Sequence, residues 1–165
     1  MENQVDIEIF EKEPEMFSPQ VQVAACYLEL DNKLLLLQRA LDNSEPGKWG
    51  VPAEKMEENE TPENAAKREL FEETGISLDR LSQIQSLGSL YIRKPEIDYI
   101  FHLFEIQLYR IPDVHLSDEH QSYKWASLND LEKMPLMAGA RQALQYYRTS
   151  FLKNRSGASV NTCLT

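Results

Sequence analysis

The stretch RELFEETGI, Arg68–Ile76, crowds three glutamates onto barely two turns of an expected helix. Thr61 is a good N-cap, Pro62 a good first helical residue, and Gly75 the expected residue just past the end. Glu69, Glu72 and Glu73 then fall at i, i+3 and i+4 and share a sector about 100° wide. Like charges at these spacings repel by about 0.2–0.5 kcal/mol per pair. They also stand at the negative end of the helix dipole, which disfavours each carboxylate by about 0.3–1 kcal/mol. Arg68 can reach Glu72 across one turn and so relieves one of the three. A solvated acidic face explains most glutamate-rich helices, but such faces intersperse Lys and Arg and place their acids early. This one does the opposite. A hard divalent cation against the face, Mg2+ or alternatively Mn2+, removes the conflict, because it takes carboxylate and carbonyl oxygens and completes its shell with substrate phosphates.

Outward from this helix the chain reads as strands. VQVAACYLEL (Val21–Leu30) and KLLLLQRA (Lys33–Ala40) are β-suited runs split by Asp31-Asn32, a hairpin-type turn. DNSEPGKWGVP is rich in turn residues and leads into a short strand near Trp49–Val51. SLGSLYIR and DYIFHLFEIQLYR form two further strands around a turn at Lys94-Pro95, and YKWASL begins as a strand. Ser127 with Asp130 predicts a capping box for a short helix ending before Pro135. Ala140, Ala143, Leu144, Tyr147 and Phe151 share one face of a last helix. Strands around a central and a terminal helix imply an α/β sandwich with a mixed sheet. The expected organisation is an N-terminal segment (1–16), one domain (17–153) and a frayed tail (154–165).

At 165 residues, with 42% hydrophobic and 27% charged residues, the chain has the size and composition of one globular domain with a real core. The acidic N-terminus lacks the basic and apolar regions of a secretory signal, and no apolar run is long enough for a membrane span. Two cysteines, Cys26 and Cys163, do not make a disulfide framework, so a reduced, cytoplasmic protein is expected. A net charge of −10 argues against general nucleic-acid or anionic-membrane binding. A small polyanion remains a suitable partner if local cations or bound metal receive it. The sequence is also compatible with a homodimer.

Glu60, seven intervening residues, Arg68-Glu69-Leu70, one residue, Glu72-Glu73, one residue, Gly75-Ile76 resembles the Nudix hydrolase signature, G-x5-E-x7-R-E-U-x-E-E-x-G-U with U aliphatic. Every specified position matches except the first, where Glu54 stands for Gly. LLLLQRA before the loop, WGVPAEKMEENETPENAA entering the helix and YKWASLNDL later extend the likeness over roughly Val21–Phe151. The resemblance implies an α/β/α sandwich with a mixed sheet, a catalytic loop-helix-loop and a C-terminal helix, and with it metal-dependent hydrolysis of a nucleoside diphosphate linked to another group. By the same carry-over, Glu72 and Glu73 would be metal ligands, with Glu69 a ligand or the base that orients water. The Ala53 carbonyl would be another ligand, Arg68 would hold the glutamates, and Glu60 would brace the loop. The chain's size and its YKW ending lean toward a nucleoside triphosphate pyrophosphohydrolase. The alternative is a catalytically weak nucleotide sensor or protein-binding module.

Beyond the signature, Glu119 is a candidate ligand or general base. Asp118 and His120 beside it are weaker substitutes, and His120 reads as a solvated side chain. Arg39, Arg93 and Lys94 are candidates for phosphate contact, and Tyr91, Tyr99 and Phe101 for the base. Trp49 and Trp125 read as core anchors, and neither His102 nor His115 has a partner that would make it a catalyst. Glu54 leaves three readings open. The loop takes another path, the carboxylate joins the metal site, or the site is impaired by a side chain forced into a glycine's backbone conformation. On the last reading, restoring Gly would raise turnover.

Overall fold

The computed structural model describes residues 6–78 and 83–158, with side chains through residue 150. Alternation along two adjacent strands, β2 (Pro19–Leu30) and β3 (Lys33–Arg39), splits the core into two layers. Ala24, Cys26, Leu28, Leu35 and Leu37 pack on one face against Ala65, Ala66 and Leu70 of helix α1 (Pro62–Thr74). Ala25, Tyr27, Leu34 and Leu36 pack on the other against Ala143, Leu144 and Tyr147 of helix α3 (Ala140–Ala158). A sheet covered on both faces needs apolar side chains at both parities, which is why AACYL and LLLL are continuous runs instead of alternating ones. Leu28, Leu35 and Leu36 are fully buried, each contributing about 1.5–3 kcal/mol relative to exposure. The result is the expected sandwich.

The remaining strands are β1 (Glu8–Phe10), β4 (Trp49–Gly50), β5 (Ala53–Lys55), β6 (Gln83–Lys94), β7 (Ile97–Gln107) and β8 (His120–Ala126), and helix α2 spans Leu128–Lys133. The sheet runs β1-β6-β7-β2-β3-β4, with β5 paired to β2 and β8 to β3. It is mixed because β2 and β7 are parallel from Pro19↔Asp98 to Glu29↔Gln107, while the other pairs are antiparallel. Asp31 and Asn32 both take positive φ, 50° and 62°, as a two-residue hairpin turn with the strands' own twist requires. The Ser127–Asp130 capping box forms as expected.

Three boundaries differ from the sequence reading. Glu8–Phe10 pairs with Tyr91–Arg93 in the sheet, so the first sixteen residues are not merely a segment outside the domain. Three residues are too few to show a period, and only the neighbouring edge makes them a strand. Helix α3 continues to Ala158, so residues 154–158 are helical, since adding residues to a packed helix costs little. The rest of the expected tail, 159–165 with Cys163, lies outside the described residues. Finally, β8 begins at His120, three residues before YKWASL, because β3 supplies partners as far as Arg39. Among the described residues no helix is long and apolar enough to cross a membrane.

Candidate active site

Helix α1 has the ends its sequence dictates. The Thr61 side chain accepts from the Asn64 amide, and Gly75 closes the helix at φ 73°. A side chain at Gly75 would be strained at that φ. The last carbonyls of the helix do not go to water. Thr74 O accepts from the His115 amide at 2.8 Å, and Glu73 O from the Ser117 amide at 3.2 Å. The loop before β8 is thereby tied to the end of α1. Its far end is held by Glu119 O, which accepts from the Ala40 amide at 3.0 Å and from Asn43 Nδ2 at 2.8 Å.

The three signature glutamates separate in space. Glu69 and Glu73 are 4% and 3% exposed, whereas Glu72 lies exposed on the rim with Arg68 Nη1 3.1 Å from its carboxylate. Arg68 grips Glu60 with two donors, Nε to Oε1 at 2.6 Å and Nη2 to Oε2 at 3.0 Å, and also donates to Glu69. Glu60 in turn accepts from the Glu57 amide at 2.9 Å. These bonds and the Arg68 charge hold the Glu60 carboxyl below its ordinary range. The expected roles of Arg68 as clamp and Glu60 as loop brace therefore have matching geometry.

Two trios share Glu73. Glu54, Glu69 and Glu73 present carboxylate oxygens within 4.8 Å of one another, and so do Glu73 and Glu119 with a ring nitrogen of His120. Burial, together with repulsion from Glu69, Glu54 and Glu119, raises the Glu73 carboxyl to about 9. Burial raises Glu69 to about 7, with Arg68 pulling the other way. Glu73 Oε2 is buried with no hydrogen-bond partner among the described residues. An all-oxygen trio with an orphaned buried oxygen fits Mg2+ or Mn2+. Glu54, Glu69 and Glu73 would hold the ion, with Glu72 at the rim and Ala53 lining the same end of the cleft.

The structure revises several sequence expectations. Of the three readings left open for Glu54, backbone strain has no basis here, since Glu54 lies in β5 opposite Ala24 and is not among the positive-φ residues; its carboxylate lies in the trio. His120 is not simply solvated. It is half-buried, its Nδ1 has no partner among the described residues, and burial with the nearby Arg39 charge lowers it to about 4.

From the trios a cleft of about 490 Å³ extends along the sheet. Its lining includes Arg39, Glu54 and His120 together with Ile92, Tyr99 and Phe101. Arg39, as expected, faces the cleft, steadied by Ser44 O at 3.2 Å and Ser44 Oγ at 3.1 Å. Arg93 and Tyr91 are not brought there. Arg93 is committed to Asp98 at 3.0 Å, and Tyr91 packs edge-on to Phe17. Strand alternation explains this, since Tyr91 and Arg93 share one face of β6 while Ile92 and Lys94 line the cleft. His102 is held between Ser89 Oγ at 2.8 Å and Gln22 Oε1 at 2.7 Å. Trp49 packs against one core layer and Trp125 against the other.

The model of the NUDIX domain matches residues 18–147. A CTP pyrophosphohydrolase of Escherichia coli K12 is 29% identical over 119 residues, 70% of this chain and 82% of that protein. A phosphatase NudJ of Shigella boydii is 31% identical, covering 72% of this chain and 74% of the relative. Among solved structures, the MutT protein from Methanosarcina mazei Go1 superposes with a TM-score of 0.67 at 25% identity, covering 82% of this chain and 96% of that one. With the signature helix folded, two of its glutamates gathered with Glu54 beside a cleft, and the match spanning most of the sequence, the chain belongs to the Nudix hydrolase family.

Proposed function

We propose that the protein hydrolyses a nucleoside triphosphate to the monophosphate and pyrophosphate, using Mg2+ or Mn2+. Water attacks the phosphorus nearest the nucleoside, the bridging P–O bond breaks, and its electron pair leaves with pyrophosphate. The observation that carries this reading is the Glu54–Glu69–Glu73 trio, with Glu69 and Glu73 buried, beside a cleft whose lining holds Glu54 together with Tyr99 and Phe101. A bound divalent cation supplies neutralisation of phosphate oxygens and acidification of water. Glu69, fixed by Arg68, accepts the proton of the attacking water. Arg39 and Lys94 contact the phosphate chain from the cleft wall, and the rings of Tyr99 and Phe101 receive the base. The similarity to a CTP pyrophosphohydrolase supports a triphosphate substrate.

The test is release of pyrophosphate and monophosphate by the full chain with Mg2+ or Mn2+, across canonical and oxidised nucleoside triphosphates, dinucleoside polyphosphates, ADP-ribose and nucleotide sugars. The expected result is highest kcat/KM on a triphosphate, abolished by chelation. Preference for a nucleotide sugar or dinucleoside polyphosphate would overturn the triphosphate assignment. No turnover on any of them would overturn hydrolysis itself.

A further inference from the structure

The second trio, Glu73 with Glu119 and His120, lies outside the signature apart from its shared member. We propose that His120 adds an imidazole nitrogen to the carboxylates of Glu73 and Glu119 there, so that this position takes Mn2+, Co2+ or Zn2+ in preference to Mg2+. The proposal rests on the metal-dependent reading above only through Glu73, which bridges the two trios.

Each residue offers a ligand atom within 4.8 Å of the other two, so a closing of the side chains by a few tenths of an ångström brings all three to metal–ligand distances of about 2.0–2.2 Å. Two buried atoms at this point lack partners among the described residues, Glu73 Oε2 and His120 Nδ1, and Glu73 is only 3% exposed. Buried polar atoms are nearly always paired, so two orphans in one trio point to a missing ligand. A histidine kept merely for packing usually finds a hydrogen bond, as His102 does with Ser89 and Gln22.

The donors are also held in position before any ligand arrives. Glu73 O accepts from the Ser117 amide at 3.2 Å, and Ser117 O from the His120 amide at 3.3 Å. Glu119 O is held by the Ala40 amide and Asn43. The donor set decides the metal. Mg2+ favours oxygen ligands and keeps its waters, whereas imidazole suits the later divalent ions. The first trio has oxygen donors only, while the second adds nitrogen.

The experiment uses the full chain and Mn2+. Free Mn2+ is titrated by its electron paramagnetic resonance signal to give stoichiometry, and electron spin-echo modulation of bound Mn2+ reads directly coordinated nitrogen. The expected result is two Mn2+ per chain, with nitrogen modulation that changes to the 15N pattern when the histidines are 15N-labelled. His120→Asn should lose the modulation and bind one Mn2+ about tenfold more weakly, with Mg2+ binding by calorimetry changed less than about threefold. The labelling experiment needs no variant, so a misfolded His120→Asn leaves the proposal testable. Saturating Mn2+ without nitrogen modulation in the native chain overturns the proposal and leaves the hydrolase reading standing. Nitrogen-coupled Mn2+ without hydrolysis of any nucleotide overturns that reading and sustains the His120 position. No Mn2+ binding at all overturns both.

Discussion

Glu73→Gln should make the metal-free protein more stable at neutral and alkaline pH, the reverse of what removing a buried hydrogen-bonding carboxylate usually does. Glu73 is 3% exposed and faces Glu54, Glu69 and Glu119, which together with burial raise its carboxyl from 4.5 to about 9. A carboxyl whose folded pKa lies above its unfolded one stabilises the fold fully below the unfolded value, and that contribution is lost as pH rises through the folded value. The window here runs from about 4.5 to about 9. At pH 7.5 the native chain stands roughly three pH units into it, and at about 1.4 kcal/mol per unit the penalty is at most about 4 kcal/mol. Glutamine has the same shape, keeps an acceptor for the Ala53 amide, and never carries the charge. The variant should therefore gain about 2–4 kcal/mol at pH 7.5, a melting-temperature rise on the order of 10 °C for a domain of this size. Near pH 4.5 the two proteins should melt together. The assay is thermal unfolding by circular dichroism in chelator across this window, repeated with millimolar Mn2+, which should raise the native chain's melting temperature and largely spare the variant's. A variant less stable than the native chain at pH 7.5 in chelator would show that Glu73 is a structural carboxylate and refute the reasoning.

Glu54→Gly should weaken Mn2+ binding about tenfold by calorimetry, the equivalent of about 1.4 kcal/mol, and slow turnover. A rise in turnover would mean that Glu54 impairs the site. Its strand backbone offers no strain to relieve, so the change should also lower stability by about 0.5–1 kcal/mol. Arg68→Lys should cost about 1.5–3 kcal/mol in urea unfolding, because a single ammonium cannot reproduce the two-donor grip on Glu60 together with the contact to Glu69; an unchanged midpoint would refute the clamp. Tyr99→Ala should raise KM about tenfold with little change in kcat, whereas Tyr91→Ala should leave KM unchanged, since only Tyr99 lines the cleft; equal effects would refute this division.

What the sequence by itself determined are features whose causes are local. Thr61, Pro62 and Gly75 bound α1, Asp31-Asn32 makes the hairpin turn, and Ser127 with Asp130 caps α2, each through backbone preferences within a few residues. The reach of Arg68 to Glu72 is legible for the same reason, because a helix brings side chains four residues apart onto one face. Tertiary structure decided which of these side chains meet partners distant in sequence. Glu72 and Glu73 are adjacent in RELFEETGI, yet the sheet buries only Glu73. Tyr91 and Tyr99 look alike as strand aromatics, and only the parity of β6 and β7 against the helices assigns one to the Phe17 ring and the other to the cleft. His120 reads as a solvated loop residue until Ser117 caps the end of α1 and draws it against Glu73, 47 residues earlier in the chain. Short-range order carries no record of such approaches, because they are fixed by how layers pack and where the pairing of β3 with β8 begins.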